Sequence, residues 1–429
     1  MIITDQKLIE REKENDPIKV GVVGAGEMAK GIINQITKHT PGMTVVATFN
    51  RTVERVKEVY KIAGIENYQV VENASQFENA CAKHIPIITQ DIELLIKSDS
   101  VDIIVDMTGS IEFSAKLTVD AIENKKDVLS FNAELDATLG PILKHKADQS
   151  GVKYSVSEGD QPGVTINLYR FVKSMGFEPL LCGNVKGMLD RYRNPSTQEN
   201  FAKHWGMSPT MATNFADGTK VSFEQACIGN ATGMGVAQRG MIGHELNDHV
   251  DNLTHLFDVS ELKDMGGIVE YVVGAKPGPG VFVYATTDDP LSVKYLEYNK
   301  LGKGPLYSFY IPYHLLFFEI PMSIARIVDF RDDIIVPLGG PVVEVISAAK
   351  ENLKKGDLLD QIGGYKAYGI CENADIARKD QLLPMGLAEG CSVLKDIPKD
   401  QEITLDDIAF PSNSLSVKLW KEQLNLFSA

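Results

Sequence analysis

A glycine-rich turn near the start of the chain has the composition of a nucleotide-binding loop. Residues 24–29 read Gly-Ala-Gly-Glu-Met-Ala, after an apolar stretch and before an amphipathic one. In such a turn Gly24 allows the tight bend, Gly26 lets a pyrophosphate approach the backbone, and the small third residue allows close packing of helix on strand. Open amides at the helix start attract the phosphates. We expect Gly24, Gly26, Glu27 and Met28 to bind a dinucleotide, with a plain surface turn as the alternative.

The residues after the next predicted strand bear on the choice of cofactor. NAD-dependent enzymes usually carry Asp or Glu here to bind the ribose hydroxyls, whereas this chain reads Asn50-Arg51-Thr52. No carboxylate stands there to repel a 2′-phosphate, and the guanidinium of Arg51 can pair with one. We therefore predict NADP, held by Asn50 and Arg51. A solvated arginine at the start of a helix would give the same pattern.

Polar residues also follow two later strands, which are predicted over residues 101–107 and 127–131. The ligand-binding crevice of an open parallel sheet lies at the carboxyl ends of its strands. Thr108, Gly109 and Asn132 are therefore predicted to lie on the nicotinamide side of the cofactor. Ordinary polar residues at strand ends are the alternative.

A loop with two carboxylates comes next. Residues 157–163 read Ser-Glu-Gly-Asp-Gln-Pro-Gly. Glu158 and Asp160 are suited to acid–base work or to orienting a substrate. Asp160 is equally suited to cap a helix that begins at Val164. Both interpretations stay open at this point.

Three cations lie close together in an otherwise acidic chain. Lys186, Arg191 and Arg193 follow a glycine-containing predicted strand. Together they can neutralise a phosphate or carboxylate, and Lys186 can polarise a carbonyl during hydride transfer. Each of them can equally be a surface charge. The pattern favours a substrate site.

A group of histidines and carboxylates has residue types that can bind a metal. It comprises His244, His249 and His255 with Glu245, Asp248 and Asp251. The spacing matches no zinc pattern, so a solvated helix face is the preferred interpretation. No metal ligands are predicted, although a divalent ion would be compatible with the chemistry.

Charge and composition exclude several classes of protein. The 429-residue chain carries a formal net charge of −15, and because acidic surfaces repel phosphate backbones no nucleic-acid partner is expected. Five scattered cysteines without a CxxC pair favour free thiols in a reducing compartment. The most apolar stretch, residues 309–325, is too short and too interrupted to span a membrane. Residues 1–17 do not resemble a signal peptide, so we predict a cytoplasmic protein.

The order of strands and helices predicts an α/β fold. Strands alternate with helices up to residue 157, which implies right-handed crossovers and a doubly wound parallel Rossmann sheet. The alternation then stops, which indicates an α+β catalytic domain. A helix over 313–330, kinked at Pro321, is predicted to follow. The predicted domains are an N-terminal extension (1–17), a Rossmann domain (18–157), a catalytic and dimerisation domain (158–312), a helix returning to the Rossmann domain (313–338) and a separate β domain (339–429).

Longer motifs resemble the homoserine-dehydrogenase-like oxidoreductases. They are GAGEMA, SFNAEL and PYHLLFFEIPMSIARIV. Within that group the chain is most similar to the deoxyxylulose-phosphate reductoisomerase-like enzymes, through GDQPG, GNATG, GGIVEYVVG and FYIPYHL. The segments VVEVISAAKENLKKGDLLD and GLAEGCSVLKDIPKDQEITLDDI resemble a SAF (antifreeze-like) domain. Glu134 stands where homoserine dehydrogenases often have lysine, which counts against a homoserine-type mechanism.

The resemblance implies a homodimer that transfers hydride from NADPH. The best-known activity of the family reduces and isomerises a phosphorylated deoxyketose on the isoprenoid route. Besides Lys186, we expect Asp160, Asn230 and His314 near the reacting carbons. Arg191, Arg193, Glu158 and Tyr313 are expected around the substrate.

The leading hypothesis is an NADP-dependent oxidoreductase that acts on a small anionic polyhydroxy carbonyl compound, with a reductoisomerase as the narrower form that the resemblance implies. Two alternatives stay open. One is a plain dehydrogenase of homoserine or of another hydroxy or amino acid. The other is a non-catalytic sensor that binds NADP and uses the SAF-like domain for partner binding.

Overall fold

In the computed structural model, which describes residues 3–427, the apolar strands of the N-terminal region form one parallel sheet. The ends of the predicted extension and of the predicted SAF-like domain, residues 1–2 and 428–429, lie outside the described residues. The elements are α1 (Thr4–Glu14), β1 (Ile18–Val23), α2 (Glu27–His39), β2 (Met43–Phe49), α3 (Val53–Ala63), β3 (Gln69–Val71), α4 (Ala74–Ala82), β4 (Ile87–Thr89), α5 (Ile92–Lys97), β5 (Ile103–Asp106), α6 (Ile111–Glu123), β6 (Asp127–Ser130), α7 (Ala133–Ser150) and β7 (Tyr154–Val156).

The strand order of this sheet is β3-β4-β2-β1-β5-β6-β7, with every neighbouring pair parallel. The predicted doubly wound Rossmann sheet is confirmed. Strand β1 pairs with β2 on one side and β5 on the other, so the winding reverses at β1. All four residues of β5 are buried, as expected for a parallel strand with helices on both faces. The binding crevice of such a sheet lies beyond the ends of β1 and β5.

The sequence did not reveal the elements between residues 64 and 99. Strands β3 and β4 have three residues each, which is too short for a hydrophobic period to show. Helix α7 begins at Ala133. Its N-cap is Asn132, whose side chain accepts from the amide of Leu135, and Pro141 lies inside the helix.

The elements after residue 160 form a mixed sheet and its covering helices. They are α8 (Gln161–Ser174), β8 (Glu178–Lys186), α9 (Pro195–Trp205), α10 (Pro209–Ala216), α11 (Thr219–Thr232), β9 (His244–Glu245), α12 (Val259–Asp264), β10 (Ile268–Val273), β11 (Val281–Thr286), α13 (Pro290–Tyr298) and β12 (Tyr307–Ile311). The strand order is β12-β11-β8-β10-β9. Strand β8 is parallel to β10 and antiparallel to β11, so it lies at the centre of the sheet.

The predicted helix over residues 313–330 is shorter than expected. A 3-10 turn occupies Leu316–Phe318, and α14 (Ile320–Phe330) begins after it. Pro321 lies in the first turn of α14, where its missing N–H costs no helical hydrogen bond. The prediction that Pro321 kinks a longer helix was therefore wrong, because this proline starts the helix.

The C-terminal segment contains two small antiparallel sheets, β13–β14 and β15–β16. Its elements are β13 (Val343–Ala349), β14 (Ala367–Asn373), α15 (Ala374–Lys379), β15 (Ser392–Val393), β16 (Ile408–Ala409) and α16 (Leu415–Leu426). The separate SAF-like domain from residue 339 stays a prediction.

The chain divides into two compact units. The first comprises Met1–Leu135, Ile142–Asp160 and Leu315–Val336, and the second comprises Asp136–Pro141, Gln161–His314 and Pro337–Ala429. The C-terminal segment thus shares a unit with the mixed sheet. Of the helices within residues 3–427, none combines the length and apolar character that a membrane span requires.

Candidate active site

The glycine turn at the end of β1 leaves room for a pyrophosphate. Gly24 has φ +115°, and a Cβ on it would lie 3.3 Å from the carbonyl oxygen of Met107. Gly26 is the N-cap of α2, and a Cβ there would have no atom within 4 Å among the described residues. No side chain caps α2, so its first amides stay open to an anion. These features fit a dinucleotide. Glu27 and Met28 occupy the first turn of α2, and Glu27 ion-pairs with Lys30 at 2.6 Å.

Beyond β2 the side chain of Arg51 is exposed and its backbone is fixed. Asn50 Nδ2 donates to the carbonyl oxygen of Thr52 at 2.9 Å, and Gln90 Nε2 donates to that of Arg51 at 2.6 Å. Within residues 3–427 no carboxylate forms an ion pair with the Arg51 guanidinium, whereas many other cations of the chain have one. The guanidinium is therefore available to an anionic ligand.

The loop after β5 is fixed by a buried carboxylate. Asp106 Oδ1 accepts from the amide of Thr108 at 2.9 Å and from its hydroxyl at 2.8 Å. Complete burial raises the pKa of the Asp106 carboxyl. A Cβ on Gly109 would meet nothing within 4 Å in the described chain, so a ligand can approach there. The loop thus presents Thr108 and Gly109 at the crevice.

Asn132 is occupied within the protein. Its Oδ1 accepts from the amide of Leu135, and its Nδ2 donates to the carbonyl oxygen of Thr108 at 3.2 Å. The side chain is buried. Asn132 therefore holds the Thr108 loop in place, and its direct contact with the cofactor stays a prediction.

Glu158 forms a buried ion pair that the sequence did not reveal. Its Oε1 accepts from Arg326 Nη1 at 2.7 Å, and its Oε2 accepts from the Ser323 hydroxyl at 3.1 Å. The Glu158 side chain is 0% exposed and that of Arg326 is 5% exposed. Glu158 thus anchors α14 to the loop after β7, and its role in substrate binding stays a prediction.

The other predicted site residues in this region, Asp160, Tyr313 and His314, differ in burial. Asp160 is buried and directly precedes α8, which begins at Gln161 and so earlier than the predicted Val164. A Cβ on Gly159 would overlap the carbonyl oxygen of Leu316, so this position requires glycine. Tyr313 is exposed and His314 is half-buried.

In the second unit, Lys186 lies in a compact polar cluster. Its Nζ donates to Gln161 Oε1 at 2.9 Å and to Glu224 Oε2 at 3.0 Å. Asn184, two residues earlier on β8 and so on the same face, donates through Nδ2 to both of these oxygens, at 3.1 Å to Glu224. The side chain of Lys186 is 16% exposed and that of Glu224 is 4% exposed. The cluster therefore fixes an ammonium group at the end of β8.

Sequence reasoning missed the partners of Lys186. Gln161 lies within the motif GDQPG, but the sequence pattern predicts roles only for the neighbouring carboxylates. Glu224 carried no local signal, because only the packing of α11 on β8 brings it to the lysine. Asn184 lies two residues before Lys186 on the same face of β8, and its residue type alone did not mark it. Lys220, one turn before Glu224 on α11, is also buried and was not predicted.

The two arginines have partners of their own. Arg193 pairs with Asp190 at 3.1 Å, three residues earlier. The guanidinium of Arg191 lies over the ring of Tyr368 at 5.8 Å from the centroid. Arg191 also lines a small cavity that Ser222 and Tyr271 share. No contact joins either arginine to Lys186 in the described chain, so the three predicted cations do not form one cluster.

Asn230 has a structural role. Its Oδ1 accepts from the amides of Val342 at 2.7 Å and Val343 at 3.0 Å. It is fully buried on α11 and ties the start of β13 to that helix. Its place near the reacting carbons stays a prediction.

The three histidines have separate surroundings. His249 Nδ1 accepts from the amide of Asp251, His255 Nδ1 contacts the carbonyl oxygen of Asn252, and His244 packs edge-on against Phe257. Within residues 3–427 no group of three or more His, Cys, Asp or Glu side chains is arranged to hold a metal. All five cysteines are free.

Two consecutive segments of the chain match known protein families. Residues 24–157 match the NAD-binding domain of homoserine dehydrogenase, and residues 159–320 match the catalytic domain of oxidoreductase DRL. The homoserine dehydrogenase of Bacillus subtilis is 23% identical over 134 residues, or 31% of this chain and 28% of that protein. That of Pseudomonas aeruginosa is 28% identical over 137 residues, or 32% and 28%.

Two solved structures are similar at low identity. Scyllo-inositol dehydrogenase from Lactobacillus casei, with NAD(H) and scyllo-inositol bound, has a TM-score of 0.42 and 13% identity, covering 75% of this chain and 92% of its own. A probable dehydrogenase from Thermotoga maritima has a TM-score of 0.40 and 12% identity, covering 75% and 91%. The curated relatives are matched over only 28% of their own length. The two family matches show a homoserine-dehydrogenase-like NAD-binding domain over residues 24–157, followed by an oxidoreductase catalytic domain over residues 159–320.

Proposed function

We propose that this protein reduces the carbonyl group of a small anionic polyhydroxy compound with NADPH. The observation that carries the proposal is the fixed ammonium of Lys186, which lies within the segment that matches an oxidoreductase catalytic domain. A carbonyl oxygen gains negative charge as hydride reaches the adjacent carbon. A preorganised cation at that oxygen stabilises the transition state more than the ground state, and this difference raises the rate.

Cofactor choice rests on the end of β2. The exposed Arg51 guanidinium and the absence of Asp or Glu among residues 50–52 support NADP over NAD. When bound, the nicotinamide supplies the hydride. The chain's part is to hold the pyrophosphate at Gly26 and α2 and to present Thr108 and Gly109 at the crevice.

For the substrate we propose a phosphorylated ketose such as deoxyxylulose phosphate, by reduction with isomerisation. The motifs GDQPG, GNATG and FYIPYHL support this choice, and Arg191 is a candidate for the anionic group. Homoserine-type chemistry is the second candidate, because the relatives matched over the first domain are homoserine dehydrogenases. A homodimer and a cytoplasmic location remain part of this proposal.

The test is an assay of NADPH absorbance with a panel of deoxyxylulose phosphate, aspartate semialdehyde and, in the reverse direction, hydroxy acids with NADP. Oxidation of NADPH by the ketose phosphate supports the proposal. Turnover of aspartate semialdehyde alone selects the homoserine-type alternative. Tight NADPH binding without turnover of any compound contradicts an enzymatic role and favours a sensor.

A further inference from the structure

We infer that Glu224 is the positioning residue of this site, with Asn184 and Gln161 completing the frame that aims the Lys186 ammonium. The inference rests on the proposed function, because it assigns a purpose to an arrangement that the hydride transfer requires.

The frame joins two donors, Lys186 and Asn184, to two acceptors, Glu224 and Gln161. Glu224 Oε2 accepts from Lys186 Nζ at 3.0 Å and from Asn184 Nδ2 at 3.1 Å, and Gln161 Oε1 accepts from the same two nitrogens. A lysine ammonium has three protons at tetrahedral angles to one another. Two of the Lys186 protons are used in the frame, and the third has no acceptor among residues 3–427. That proton is available to a ligand atom, and its direction is set by the other two bonds.

Charge explains why the frame contains a carboxylate. Glu224 is the one acidic side chain of the described residues that lies within ion-pair distance of Lys186, and it is almost fully buried on α11. A buried ammonium without a counter-charge is strongly disfavoured. Glu224 therefore holds the ammonium in place.

Glu224 acts through Lys186 and does not itself touch the reacting atoms. Its oxygen is shared with Asn184, which holds the carboxylate on the β8 side and limits its rotation. A long lysine side chain has many conformations in the absence of such bonds. The frame thus turns a flexible side chain into a fixed donor, which is what a transition-state contact requires.

The first test needs no substrate. Amines are labelled with acetic anhydride at fixed pH, and the rate at Lys186 is read by mass spectrometry. Glu224→Gln keeps the size and removes the charge, so labelling of Lys186 should rise about tenfold, the size of one charged hydrogen bond. Glu351→Gln is the control, because it removes a carboxylate of the same unit that pairs with another lysine, Lys366, at 2.8 Å. Lys366 keeps its second partner, Asp357, at 3.2 Å, and labelling of Lys186 should stay unchanged.

Lys350, buried against Asp217 at 2.8 Å, reports whether the unit stays folded. If its labelling rises as well, Glu224→Asp, which keeps the charge but shortens the reach, replaces the glutamine variant. An unchanged Lys186 rate in a folded variant overturns the inference.

The second test separates positioning from a merely structural role. With the panel compound that oxidises NADPH fastest, Glu224→Gln should lower kcat by about tenfold to a hundredfold while the KM for NADPH stays the same. A folded variant with normal kcat contradicts the inference. If no panel compound is reduced, the proposed function fails, and the labelling experiment still decides whether Glu224 holds Lys186.

Discussion

Lys186 Nζ lies 3.0 Å from Glu224 Oε2, across 38 residues of sequence and at the contact between β8 and α11. The pair is nearly enclosed, since the two side chains are 16% and 4% exposed. An ion pair on a surface contributes little to stability and its side chains are mobile, whereas an ion pair held by additional hydrogen bonds keeps its geometry. This relationship makes Lys186 the best-defined candidate for catalysis in the chain.

Cofactor preference should depend on Arg51. Arg51→Ala removes a guanidinium available to a 2′-phosphate, so NADPH binding should weaken by about 1.5–3 kcal/mol while NADH binding changes little. Dissociation constants from cofactor fluorescence provide the measurement. Arg55→Ala, an exposed arginine on α3, is the control and should leave both affinities unchanged. An equal loss of affinity for both cofactors would show that Arg51 does not bind the 2′-phosphate.

Substitution of Gly26 should weaken NADPH binding without lowering the stability of the protein. Its φ of −83° and ψ of −172° suit any residue, and a Cβ would enter open space. Gly26→Ala should therefore keep the melting temperature while it weakens NADPH binding, because the methyl group occupies the path of the pyrophosphate.

Gly31→Ala on the same helix provides the contrast. A Cβ there would overlap the ring of Phe317. Overpacking costs about 1–3 kcal/mol, whereas the gain in helix propensity is about 1 kcal/mol. This variant should lower the melting temperature. If Gly26→Ala is the less stable of the two, the assignment of open space at α2 is wrong.

Stability should respond to pH through Glu344 on β13. Burial raises the pKa of its carboxyl to about 7, and Arg378 partly opposes the shift. Between pH 4.5 and about 7 the folded state therefore binds a proton that the unfolded state has released. The contribution of Glu344 to the free energy of unfolding must fall as pH rises through that range.

Glu344→Gln should remove this dependence. The free energy of unfolding of the variant, relative to that of the unaltered protein, should rise by up to about 3 kcal/mol between pH 4 and pH 8. Urea unfolding of both proteins at the two pH values gives the comparison. A stability difference that is the same at pH 4 and pH 8 would rule out a raised pKa.

The sequence predicted the fold where the signal is local. The glycine turn, the apolar strands and the helices between them are adjacent in sequence, so their pattern indicates a Rossmann sheet directly. Pro321 is the opposite case, since a proline inside an apolar stretch suggested a kink, whereas the chain uses it to begin α14.

Site residues were harder to predict because their partners are distant in sequence. The position of Glu158 in a glycine-rich loop predicts a role in binding substrate, whereas in the fold it forms an ion pair with Arg326, 168 residues later. Asn230 likewise bonds to Val342, 112 residues later. Lys186 stands out in the sequence as one of three nearby cations, but its partner Glu224 is brought to it only by the packing of α11 on β8.

The central claim is that the Lys186 ammonium stabilises the charge that develops on a carbonyl oxygen. Lys186→Ala should lower kcat by about a hundredfold to a thousandfold and leave NADPH affinity nearly unchanged. The measurement is steady-state turnover of the panel compound that oxidises NADPH fastest, with Lys366→Ala as the control. A variant that retains kcat and changes only the substrate KM would make Lys186 a binding residue and contradict the claim.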